Sequence, residues 1–243
     1  FPPAAGLEPV EAWAIQQCRS DLELTLNQGL GRAGELPTRP TVGIEEEPWL
    51  AGVRFAGGAR CRALFTHPEE LLEHETVKGV PAPELGKIRL ALPVEVAAHG
   101  RISAPQLQTV CYAARALERR LAAGDGGVPG PRGGFLLGDG TGCGKGRVIA
   151  ALIVHVAYRA APGGKPRRCL WVSASNDLLR DASRDLSDVD VGGGLRLCRH
   201  TGTGGVAPAD GNVLFATYAK VRAPGAAAAI AEWLGGEDAE GLL

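Results

Sequence analysis

The chain has 243 residues, 45% of them hydrophobic and 22% charged, and a formal net charge of −1. That is apolar material enough for one large or two small domains, and the near-zero charge excludes a global attraction to nucleic acid, so any such contact is local. No apolar run reaches the about 18 residues of a membrane span and no secretory signal opens the chain. Its six cysteines (Cys18, Cys61, Cys111, Cys143, Cys169 and Cys198) are scattered without a Cys-x-x-Cys pair. They read as free thiols of a reducing, intracellular compartment and not as a zinc site or a disulfide frame. The chain begins at Phe1 and contains no methionine, so it is expected to be a fragment or processed piece whose natural beginning lies upstream.

Residues 1–79 are weakly patterned and predict an irregular extension of unassigned role. Leu22, Leu24 and Leu26 alternate, Pro37-Thr38-Arg39-Pro40 has linker character, and Glu45-Glu46-Glu47 reads as a solvated acidic face. His67 and His74 lie near several glutamates, but no further ligands cluster with them and no metal site is expected. Pro81, Pro83 and Pro93 fit an extended segment over 80–100 better than a helix.

Over 104–122 the pattern sharpens. Leu107, Val110, Ala114, Leu117 and Leu121 step by three and four, with Arg115, Glu118, Arg119 and Arg120 on the other side, which predicts an amphipathic helix. A glycine- and proline-rich loop over 124–134 follows. Next come an apolar strand, Gly134-Phe135-Leu136-Leu137, a turn through Gly138-Asp139-Gly140-Thr141-Gly142-Cys143-Gly144-Lys145-Gly146-Arg147, and an apolar helix from Val148. Strand, Gly-x-Gly-Lys turn and helix together form a phosphate-binding loop: glycines let successive N–H groups point inward and the helix aims its positive end at the same place. Lys145 is placed over the β- and γ-phosphates. A glycine-rich surface turn is the plain alternative, and the flanking strand, helix and lysine offset argue against it.

Two positions depart from the strict pattern. Asp139 stands where the first glycine belongs, and Gly146 removes the Ser or Thr hydroxyl that ordinarily holds Mg²⁺. Thr141, or water held by an acidic residue elsewhere, is the substitute open to it. Beyond the loop, Cys169–Ser173 is a strand, Ser175 or Asn176 caps a helix through Leu186, Leu195–Cys198 is a short strand, and glycine-rich 202–205 leads to a strand at Val213–Ala216. Alternating strands and helices predict an α/β fold, a parallel sheet with helices on both faces.

The order of these motifs resembles the Strawberry notch family, superfamily II helicase-like ATPases linked to transcription control. Ser103 through Gln108, Gly134 through Ala150, Leu170 through Leu178, Asp181 through Leu186 and Phe215-Ala216-Thr217-Tyr218 carry the resemblance. The loop with Gly-Arg after the lysine is distinctive of that family, so Gly146 reads as a family trait. An Asp at the place of Asp139 is also familiar from the loops of chromatin-remodelling ATPases. Val148 departs from the family, which has Thr there, and leaves a hydroxyl absent from both places.

The resemblance implies a RecA-like P-loop lobe over 80–243 behind an extension over 1–79, with ATP and Mg²⁺ as cofactors. It assigns Lys145 the catalytic clamp and Gln106, Asp139, Gly140, Thr141, Gly142, Cys143, Gly144, Gly146 and Arg147 to the nucleotide. Gln106 reads adenine on this view, an exposed helix-start glutamine being the alternative. Arg147 reaches phosphate, a neighbouring carboxylate or solvent. Ser175 and Asn176 touch a nucleic-acid backbone or cap a helix; Thr217 and Tyr218 do likewise, Tyr218 reading equally as a core aromatic. The segment from Trp233 to Leu243 stops at the start of the family's Asp-Glu-x-His strand, so the lobe is expected to be incomplete, its Mg²⁺ ligands largely outside this chain and the fragment inactive. The implied whole is a nuclear, DNA- or chromatin-associated ATPase with transcription-regulatory partners and no membrane contact. A non-enzymatic transcriptional scaffold with a degenerate nucleotide site is the alternative. A small-molecule kinase is disfavoured by the absent Ser/Thr and by Thr217-Tyr218.

Overall fold

A computed structural model describes residues 40–68, 70–72, 82–121, 130, 132–159, 165–200 and 211–236. The leucine alternation over 22–26, the linker up to Arg39, His74, the loop over 124–129, Gly202–Gly205 and the run after Gly236 lie outside them. Among the described residues the strands are β1 (Thr41–Gly43), β2 (Val53–Arg54), β3 (Ala63–Phe65), β4 (Ile88–Arg89), β5 (Cys169–Ser173), β6 (Leu197–Arg199) and β7 (Val213–Thr217). The α-helices are α1 (Glu95–Ala98), α2 (Ala104–Glu118), α3 (Lys145–Tyr158), α4 (Leu179–Val189), α5 (Tyr218–Val221) and α6 (Ala226–Leu234).

The principal sheet runs β5-β7-β6 with every neighbour parallel. Alternation along its strands separates two apolar layers, because successive side chains leave opposite faces. Cys169, Trp171, Val213 and Phe215 pack with Val148, Ile153 and Val154 of α3 and Ala182, Leu186 and Val189 of α4. Leu170, Leu214 and Ala216 pack on the other face with Ile230 and Trp233 of α6. Arg168 stacks its guanidinium 5.1 Å from the Trp233 ring centre, which ties α6 to the foot of β5. The expected α/β sandwich of a parallel sheet is therefore present, with helices on both faces.

The helix expected over 104–122 ends early. Its apolar face of Leu107, Val110, Cys111 and Ala114 is buried, but α2 stops at Glu118. The returning chain ends it: Gly133 N–H donates to Arg119 O and packs on the Ala116 carbonyl. Leu121, left beyond that point, is exposed.

The strand expected at Gly134–Leu137 does not form a ladder. Residues 133–140 take neither helix nor strand, Phe135 and Leu136 are exposed, and Leu137 packs against the core. A strand is defined by its partner, and the described sheet offers no neighbour to this segment. The extended reading of 80–100 is also corrected in part. Pro93 precedes a single helical turn, α1, consistent with proline's tolerance at a helix start.

Residues from Pro40 onward hold more structure than their sequence pattern announces. β1 pairs with β3 antiparallel, β2 pairs with β4 parallel, and Leu50, Val53, Phe55 and Leu64 are buried in the same core as α2 and α3.

Candidate nucleotide-binding site

The glycine turn leads directly into α3. Gly144 is its N-cap with φ 75° and ψ 37°, and Gly142 has φ 90°. Both are left-handed conformations that glycine adopts without a Cβ penalty. Side chains added at Gly138, Gly140 or Gly142 would meet nothing within 4 Å, so the loop lines open space. The Lys145 ammonium arches back over it and donates to Asp139 O at 2.9 Å and Gly140 O at 2.6 Å. Within α3 the first recorded backbone donors are Arg147 and Val148, both to Gly144 O. The N–H groups ahead of them and the positive end of a 14-residue helix thus face the turn. An open backbone concavity, a helix N-terminus and an ammonium fit a polyphosphate.

Gln106 reaches this loop from α2. Its Oε1 accepts from Ser103 N–H at 3.0 Å, capping α2, and its Nε2 donates to Cys143 O at 3.1 Å. A Cβ at Gly144 would fall under 3.0 Å from that Nε2. The amide that the resemblance directs at adenine is thus engaged at both ends with the protein, as a strut between α2 and the loop.

Arg147 points to the neighbouring helix. It donates to Arg101 O at 2.7 Å, forms an ion pair with Asp188 and faces Asp185 Oδ1 at 3.5 Å. The neighbouring carboxylates are thus among its partners in this fold. The fit to Mg²⁺ differs from the fit to phosphate. Gly146 and buried Val148 offer no hydroxyl, and among the described residues no three His, Cys, Asp or Glu side chains gather as a metal group.

A family model described as "P-loop containing NTP hydrolase pore-1" matches residues 66–243, the loop and both flanking helices included. The chain belongs to this family of Strawberry notch P-loop proteins. It is 38% identical over 153 residues to protein strawberry notch homolog 2 of Homo sapiens, covering 63% of this chain and 10% of that protein. It is 40% identical over 131 residues to protein strawberry notch of Drosophila melanogaster (54% and 7%), and 37% over 123 residues to protein FORGETTER 1 of Arabidopsis thaliana (51% and 9%). The matched stretch thus spans about a tenth of these relatives. No solved structure matches the chain.

Membership in a P-loop NTPase family gives the turn a helicase-like, nucleotide-binding role, and Mg²⁺ ordinarily accompanies the nucleotide. The remaining sequence-predicted residues of the Strawberry notch motifs form a second group. Ser175 and Asn176 follow β5, and Thr217 and Tyr218 stand at the end of β7, whose Thr217 is in register with Ser173. Ser175 accepts from Asp177 N–H and caps a short 3-10 turn, Asn176–Leu178. Thr217 is buried and accepts from Lys220 N–H as the cap of α5. Tyr218 is 61% exposed, which rules out the core-aromatic alternative. No helix among the described residues is long and apolar enough to cross a membrane.

Sequence reasoning missed one participant. Asp185 sits in α4, inside the Asp181–Leu186 stretch that carries the resemblance but with no role assigned to it there, and its Oδ2 lies under 3.0 Å from where a Cβ at Gly146 would be. The glycine after the lysine was the available signal: an unexplained small residue marks a close approach.

Proposed function

We propose that this chain is the ATP-binding part of a helicase-like ATPase that acts on DNA or chromatin in the control of transcription, in the nucleus. The observation that carries the reading is Lys145 folded over an open glycine loop at the N-terminus of α3. ATP docks its β- and γ-phosphates against the N–H groups of Gly142 to Gly146, with Lys145 exchanging its carbonyl partners for phosphate oxygens. Gln106 then acts on the nucleotide through the loop it braces. The strand-end group, Ser175, Asn176, Thr217 and Tyr218, is the nucleic-acid contact. Support for that assignment comes from the position of these residues at the C-terminal ends of parallel strands, where ligands of open α/β sheets collect.

The test is ATP affinity. Lys145→Ala should weaken binding by about 2–3 kcal/mol, the worth of a charge-assisted contact. Equal affinity in the two proteins overturns the reading. A second reading, a non-enzymatic transcriptional scaffold, is favoured by the absence of a hydroxyl at both Gly146 and Val148. It expects ATP binding without turnover in the protein that carries this chain, and nucleic-acid-stimulated hydrolysis would exclude it.

A further inference from the structure

In phosphate-loop proteins the residue after the lysine offers its hydroxyl to Mg²⁺. Here that residue is Gly146, and the direction in which a serine would extend is already filled. Asp185 Oδ2 lies under 3.0 Å from the position of the missing Cβ. Asp185 reaches there from α4, only 8% exposed. Its Oδ1 faces the guanidinium groups of Arg147 at 3.5 Å and Arg184 at 3.6 Å. Arg147 is in turn fixed by Asp188 and by Arg101 O. The hydrogen bond that Arg147 donates ends on Oδ1, and Oδ2 is the oxygen turned toward Gly146. A carboxylate held on one oxygen, with the other against the glycine that follows the loop lysine, is a suitable donor for a hard divalent cation. Mg²⁺ is usually held by one or two carboxylates together with substrate phosphates.

We propose that Asp185 replaces the missing hydroxyl and is the residue of this chain that positions the nucleotide's Mg²⁺ against the loop. The proposal rests on the nucleotide-binding reading of that loop. It gives one account of the Gly-Arg pair after the lysine. Glycine at 146 leaves room for the carboxylate, since any side chain there would displace it. Arginine at 147 orients the same carboxylate through Oδ1, and is a positioning residue, not a phosphate ligand.

The experiment measures the affinity of a fluorescent ATP analogue in EDTA and in Mg²⁺. In EDTA the unmodified chain and Asp185→Asn should bind alike. Mg²⁺ should tighten binding to the unmodified chain about ten- to a hundredfold more than to Asp185→Asn, the usual scale for removing a residue that supports a metal. Asp181→Asn, which removes the same charge from the same helix where it pairs with Arg184, should keep the full gain. The double variant Gly146→Ser, Asp185→Ala returns a hydroxyl to the vacated place and should recover the gain, which keeps the test open if Asp185→Asn fails to fold. An equal gain from Mg²⁺ in the unmodified chain and Asp185→Asn, or no recovery in a folded double variant, overturns the proposal while the phosphate-loop reading stands. Failure of the unmodified chain to bind nucleotide in EDTA overturns both.

Discussion

Gly144 and Gly146 are two residues apart and are glycine for different reasons. Gly144 has φ 75°, where a Cβ is strained, and the added atom would also strike Gln106 Nε2. Gly146 lies inside α3 with helical geometry and is excluded from larger residues by Asp185 alone. Gly144→Ala should therefore destabilise by about 1–2 kcal/mol from backbone strain and also loosen nucleotide binding. Gln106→Glu gives a sharper outcome. Its carboxylate still accepts from Ser103 N–H, but it sets an acceptor against the Cys143 carbonyl where an N–H had donated. We expect a loss of roughly 1–3 kcal/mol in thermal or urea unfolding, with nucleotide affinity falling alongside it. If Gln106→Glu binds and melts like the parent, the strut has no role. The loop itself is legible in the sequence because glycine spacing and the lysine offset are local. The identity of what presses on each glycine is not, since Gln106 and Asp185 are 38 and 39 positions away and come from two different helices.

At the scale of elements, α3 is both the phosphate-facing helix and the hub of the core, and one of its side chains makes that hub sensitive to pH. His155 is 1% exposed; its Nδ1 accepts from Ala91 N–H at 2.9 Å, which fastens the chain after β4 to α3. Its Nε2 is buried without a partner. Burial, aided by the nearby Arg159 charge, lowers its pKa to about 4 from the ordinary 6.5. The unfolded chain therefore binds a proton between pH 6.5 and 4 that the folded chain refuses, and stability falls as pH drops through that window. The group's share is complete above about pH 6.5 and amounts to roughly 3 kcal/mol, lost progressively toward pH 4. Urea unfolding at pH 7.5 and pH 5 measures it. His155→Leu should be less stable at pH 7.5, having left Ala91 N–H unpaired, and should lose less than the parent on going to pH 5. Parallel losses would show that His155 does not titrate with folding. Among the elements, α2, β5 and β7 are readable because their apolar residues recur at 3.6 or sit in compact runs. The two- and three-residue strands at Thr41–Gly43, Val53–Arg54 and Ala63–Phe65 are too short to show a period. Gly134–Leu137 errs in the opposite sense: its composition suits a strand, but a ladder also needs a neighbour.

Across the whole molecule, the parallel order β5-β7-β6 brings the ends of all three strands to one edge of the sheet. That edge carries Ser175, Asn176, Thr217, exposed Tyr218, and Lys220, whose ammonium donates to His200 O at 2.6 Å. Asn176 Oδ1 is buried there without a partner. The edge is polar and aromatic more than basic, in a chain whose net charge is −1. If it is the nucleic-acid contact, binding depends on hydroxyl, amide and ring contacts with few phosphates neutralised. The salt dependence follows from that count: each neutralised phosphate contributes about −0.9 to the slope of log K against log salt on duplex DNA. Two or three such contacts give a slope of roughly −2 to −3, with affinity in the micromolar range or weaker. Titration of a labelled oligonucleotide at several salt concentrations reads the slope directly. Tyr218→Ala should weaken binding by about 1–3 kcal/mol if bases stack on the ring, and leave the slope unchanged because no charge is lost. Lys220→Ala should lower the slope by about one unit. A slope steeper than about −5 would require a broad basic face and would move the nucleic-acid contact away from this edge.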